Sequence, residues 1–113
     1  MVRTDLGMSP GKIASQAGHA YLGAFLNCQQ LNPHLLTEYL KHFPGTKVCL
    51  KATNLDALLR AEAEAIHSRI PCSLITDSGC PNFFNGQPII TAIGLGPAKE
   101  TDIKHITRRF QLL

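Results

Sequence analysis

The sequence predicts an α/β protein with a four-stranded mixed sheet inside a three-layer α/β/α sandwich, its elements in the order β-α-α-β-α-β-β-α. Three observations lead there. Cap-and-proline pairs, Ser9-Pro10 and Asn32-Pro33, open two helical stretches. Short runs rich in branched residues, Ile89 to Ile93 above all, stand between the helical segments. Helices interposed between strands cover both faces of a mixed sheet.

Taken in order, Met1 to Leu6 reads as the end of a strand, cut short at its beginning, and Gly7-Met8-Ser9-Pro10-Gly11 as a turn. Gly11 to Leu26 continues as the first helix. At roughly 100° per residue, Ile13, Ala17, Ala20 and Ala24 share a face whose small side chains let a helix lie close to a sheet. Lys12, Gln16 and His19 share a polar edge displaced about 110° from the alanines. The second helix runs from Pro33 to about His42, and Pro44-Gly45 ends it. Lys47 to Ala52 alternates as a strand, Val48 and Leu50 on one face and Lys47, Cys49 and Lys51 on the other. Asn54 caps a third helix to about Arg69, with Leu55, Leu58, Leu59 and Ile66 as its buried stripe. Strands Cys72 to Thr76 and Ile89 to Ile93 flank a Gly-, Asn- and Pro-rich loop from Asp77 to Gln87, and Glu100 to Arg109 forms the last helix.

Length and composition narrow the function classes. At 113 residues and 44% hydrophobic content, the chain suffices for one compact core, residues 1–113 forming a single domain. A stretch of about 18 apolar residues is missing, as is a basic-then-apolar leader, so a soluble cytoplasmic protein away from membranes is expected. Cys28, Cys49, Cys72 and Cys80 contain no C-x-x-C pair and read as incidental free thiols rather than metal ligands or disulfide partners. A formal charge of +3 permits an anionic partner without requiring one.

The residues able to do chemistry lie far apart in sequence. Lys51 and Asp77 fall near the carboxyl ends of two strands and the Lys12 helix follows a third, which is where ligands bind on open α/β sheets. Lysines can hold phosphate or stabilise an oxyanion, while a carboxylate or imidazole can orient or deprotonate water. Each residue also has a plain structural reading: Lys12 and Lys51 as solvated charges, Asp77 as a turn former, Gln16 and His19 as helix-edge groups bonded to a loop. The string Gly7-Met-Ser-Pro-Gly11-Lys12 is no phosphate loop, being one residue short and carrying Ile13 where a magnesium-binding hydroxyl belongs.

Val2-Arg3-Thr4-Asp5-Leu6-Gly7-Met8, followed by Gly11-Lys12-Ile13-Ala14-Ser15-Gln16-Ala17-Gly18-His19-Ala20, closely resembles the opening signature of the type 2 peptidyl-tRNA hydrolases. The likeness continues through Lys47 to Lys51, Ser73 to Gly79 and Ala92 to Pro97, in family order and over nearly the whole chain. The resemblance implies hydrolysis of the ester between peptide and tRNA, which recycles tRNA in translation, by a homodimer using neither metal nor organic cofactor. It implies that Lys12, Gln16, Lys51 and Asp77 occupy functional positions, with His19 in the same signature. The sequence departs from the family at Gly7, where a lysine is usual, and at Pro81 and Ile89, where threonines are usual. Those departures frame the alternative expectation, a weakened or inactive member that binds RNA or protein.

Overall fold

A computed structural model describes residues 1–79 and 81–113, apart from the side chains of Asn82 and Phe83. The elements are β1 (Val2–Arg3), α1 (Pro10–Leu31), α2 (Pro33–Leu40), β2 (Lys51–Ala52), α3 (Leu55–His67), β3 (Cys72–Asp77), α4 (Pro81–Phe84), β4 (Ile89–Leu95) and α5 (Glu100–Thr107). Their order matches the expected one, with a single added turn, α4, inside the loop between β3 and β4. The strands form one mixed sheet in the order β2-β1-β4-β3. β1 and β2 run parallel, while β4 runs antiparallel to both β1 and β3. Hence β1, β2 and β3 all point the same way, and their carboxyl ends share one edge of the molecule.

Local signals set the helix starts. Ser9 Oγ accepts from the Lys12 amide at 3.2 Å, and Pro10 needs no donor in the first turn. Asn32 does two jobs: its amide donates to Cys28 O at 2.8 Å, closing α1, and its Oδ1 accepts from the Leu35 amide at 3.1 Å, opening α2. Asn54 Oδ1 likewise accepts from the Ala57 amide at 2.9 Å.

Small residues decide how closely the layers approach. Ala20 and Ala24 of α1 are buried against β4, and a Cβ placed on Gly94 would stand 1.9 Å from the Ala20 carbonyl oxygen. Only glycine admits the α1 backbone there. On this face Val2, Met8, Ala20, Phe84 and Ala92 form one core cluster, against which Ile13, Ala17 and Ile75 pack. On the other face Ala52, Leu58 and Ile93 pack together, with Ala61, Ala65, Ile70 and Ile106 beside them. Side chains as buried as Leu58, Ile93 and Ile106 each contribute about 1.5–3 kcal/mol by leaving water.

Several expectations are corrected, and the first helix runs on to Leu31 rather than stopping at Leu26. The buried stripe of α3 is Leu58, Ala61 and Ala65, while Leu59 and Ile66 are exposed, because close packing of α3 on the sheet and α5 selects the small-residue side of the helix. The strand expected from Lys47 to Ala52 is only Lys51–Ala52, since β1, its parallel partner, is itself two residues long. Leu50 instead bridges to Leu112, and the Lys51 amide donates to Gln111 O at 2.9 Å, so the carboxyl-terminal residues cover the outer edge of β2. The last helix stops at Thr107 rather than Arg109. Cys28, Cys49 and Cys72 are free thiols, and Cys80 lies outside the described residues.

Candidate functional site

Asp77 closes β3, and Lys12 and Gln16 stand one turn apart at the start of α1, directly over that strand end. Lys12 Nζ lies 2.5 Å from Asp77 Oδ2, and Gln16 Nε2 donates to the same oxygen at 3.2 Å. The other carboxylate oxygen accepts from the Gly79 amide at 2.9 Å, so Asp77 shapes its turn as well as pairing with the lysine. The ion pair is withdrawn from solvent, with side-chain exposures of 16% for Lys12 and 9% for Asp77. A lysine in the first turn of a helix opposes the helix dipole, and the carboxylate beside it offsets that cost. The Phe84 ring lies beneath the ammonium, its centroid 5.6 Å from Nζ, within cation–π range.

Gln16 is not the edge residue that its helical angle suggests. It is 2% exposed, and its side chain is bonded at both ends, to Asp77 of β3 and Thr91 of β4. A carboxylate only accepts, so the amide nitrogen must face Asp77 and the amide oxygen must face elsewhere. That oxygen accepts from the hydroxyl of Thr91, a fully buried residue. The result is a string of polar groups, Thr91 to Gln16 to Asp77 to Lys12.

Thr91 escaped the sequence reading because its face is set by a β-bulge. Ile75 pairs with Ala92 and Thr76 with Ile90, so the ladder skips Thr91. The extra residue turns Thr91 to the α1 face beside Ala92, whereas strict alternation would place it opposite. Counting along the chain put Ile89 at the position of a family threonine; the structure supplies the hydroxyl two residues later. The one available signal was the lone hydroxyl-bearing residue in an otherwise apolar strand. Gly7 has a φ of +63°, one that a lysine would adopt only with strain. Pro81 opens α4 and brings no hydroxyl.

The two remaining candidates stand apart from this string. His19 is exposed on α1, without a side-chain hydrogen bond to any described residue. Lys51 is exposed on β2, in register with Val2, Ala92 and Ile75. Three strand spacings separate it from β3, roughly 14 Å across the sheet. A concavity of about 420 Å³ lies by the residues leading into β3, around Ser68, Arg69 and His105, and another of about 380 Å³ lies around Glu64, Ser68, His105 and Arg109; neither includes any of the five candidates. The Lys12–Asp77 cluster is therefore not lining either of these concavities. Groups of three or more metal-ligating side chains are absent among the described residues.

Fold and cluster together define a small three-layer α/β protein with a charge-paired polar string at the carboxyl end of a strand. The family model described as Peptidyl-tRNA hydrolase PTH2 matches residues 1–113, and the chain belongs to that family. The chain is similar to the peptidyl-tRNA hydrolase of Methanocaldococcus jannaschii, 35% identical over all of this chain and 96% of the relative. It is 37% identical to the Sulfolobus acidocaldarius peptidyl-tRNA hydrolase, again over all of this chain and 96% of that protein. The human mitochondrial peptidyl-tRNA hydrolase 2 is 34% identical over 90% of this chain and 56% of its own length.

Proposed function

We propose that the chain hydrolyses the ester between peptide and tRNA, with Asp77, Lys12, Gln16 and Thr91 as the chemical centre. The observation that carries this reading is the convergence of Lys12 and Gln16 on the Asp77 carboxylate at the carboxyl end of β3, with Gln16 held in turn by Thr91. In the mechanism, Asp77 orients a water and takes its proton as the oxygen attacks the ester carbonyl. Lys12 faces the charge that develops on the carbonyl oxygen, and the carbon–oxygen bond to the ribose then breaks. The ribose oxygen takes the proton held by Asp77 and leaves as the hydroxyl end of free tRNA, which restores the carboxylate. Gln16, fixed at both ends, holds Asp77 in orientation.

Lys51 and His19 serve the same reading as RNA contacts. A cation roughly 14 Å across the sheet from the reacting ester can meet the phosphate backbone while the ester rests at Asp77. The cytoplasm, where tRNA is charged and used, is the compartment this reading implies. A homodimer is supported by exposed apolar side chains, Phe43 together with Val48, Leu112 and Leu113 near β2, which a second copy would cover.

The test is release of free tRNA and peptide from a defined peptidyl-tRNA. Asp77→Ala should lower kcat by about 10²–10⁴-fold and Lys12→Ala by about 10²–10³-fold, whereas Lys51→Ala should act mainly on KM. A folded parent protein that releases nothing would reject the proposal.

A further inference from the structure

On the sheet face opposite α1, Arg3 reaches the bulge that exposes Thr91 to Gln16. Its Nη1 donates to the Ile90 carbonyl oxygen at 2.9 Å, one residue from the skipped position. The rest of the guanidinium is gripped by Asp5, Nε to Oδ1 at 3.1 Å and Nη2 to Oδ2 at 2.8 Å. The bonds from Arg3 hold the Asp5 carboxyl below its usual range. Arg3 is only 11% exposed at the side chain, so the fork is confined between sheet and Asp5 rather than free in solvent. β1 stops at Arg3, and the guanidinium takes over bonding to β4 where the strand no longer does.

We propose that Arg3, seated by Asp5, is a positioning residue for the hydrolytic centre: it fixes the β4 bulge from behind, so that the Thr91 hydroxyl is delivered to Gln16. The inference rests on the hydrolase reading above and assigns no contact between Arg3 and substrate. A planar fork bonding to a carbonyl and a carboxylate together sets the angle of the Ile90 peptide, which a lysine at the same place does not. Ile90 leads directly into Thr91, so the angle of that peptide sets where the hydroxyl points.

The experiment is a double-mutant cycle of Arg3→Gln with Thr91→Val, read in single-turnover peptidyl-tRNA hydrolysis and in denaturant unfolding. Arg3→Gln should lower kcat about tenfold with KM nearly unchanged, and should cost little further once Thr91 is valine. Asp5→Asn, which keeps size and leaves Arg3 in place, should give a smaller loss of the same kind, and Arg3→Lys should restore little of it. Multiplicative losses in the cycle, or an Arg3→Gln protein of lower thermal stability but parental kcat, would overturn the proposal. Should the parent itself lack hydrolytic activity, the hydrolase reading falls separately, and the unfolding cycle still decides: non-additive free energies uphold the Arg3–Thr91 link and additive ones refute it.

Discussion

Thr91 and Gly79 show how much single residues carry in this site. Thr91→Val keeps the volume but leaves the Gln16 carbonyl oxygen buried without its donor. The loss should be about 1–3 kcal/mol in stability, measured by denaturant unfolding, with Gln16 no longer held toward Asp77. Gly79 sits at φ +100°, and a Cβ there would stand 2.5 Å from the Gly86 carbonyl carbon. Gly79→Ala should therefore open the loop between β3 and β4, withdraw the amide from Asp77 and lower kcat even where the protein stays folded. Circular dichroism alongside the hydrolysis assay separates these effects. At this scale Lys12, Gln16 and Asp77 were legible through the likeness of their strings to the family signature, whereas their types alone left a plain structural reading open. The depth of Gln16 was not, since a helical angle says which side a residue faces but not how far the sheet reaches around it.

Among elements, α3 and α5 are joined at the surface by Glu64, which accepts from Arg60 of its own helix at 3.0 Å and from Arg109, just beyond α5, at 2.8 Å. Burial alone would raise the Glu64 carboxyl, yet the hydrogen bonds from Arg109 and Arg60 bring it below its usual range. A lowered folded-state pKa stabilises the fold above the unfolded-state value, and that contribution is lost as pH falls through the folded one. Arg109→Ala should thus weaken the protein at neutral pH and flatten the drop in stability below about pH 4.3, seen in urea unfolding across the acid range. Helix starts were readable because caps and prolines act over three or four residues. The stripe of α3 was misplaced toward Leu59 and Ile66 because hydrophobic periodicity rewards large residues, whereas tight layers are met by Ala61 and Ala65.

For the whole molecule, charge and apolar surface govern encounter. With a formal charge of +3 and Lys51 displaced from the chemical centre, KM for peptidyl-tRNA should rise steeply with salt while kcat changes little. A flat KM between low and physiological salt would speak against RNA contact through these cations. Phe43 is 77% exposed and Leu112 68%. Light scattering on the parent should report a dimer that Phe43→Glu dissociates, and a monomeric parent would remove that part of the reading. The same part of the molecule explains a misjudged strand: residues 111–113 pair with the segment around Leu50, a long-range contact with no local mark in either stretch.

What the sequence determined alone is whatever propagates locally or by periodicity: helix caps, the alanine face of α1, and the alternation of helices with strands. Tertiary structure alone decided that Lys12, Gln16 and Asp77 meet while Lys51 stands across the sheet, and that Thr91 completes the string. Strand order and a one-residue bulge settle those matters, and both arise from pairing between segments distant in the chain, where no short-range rule reaches.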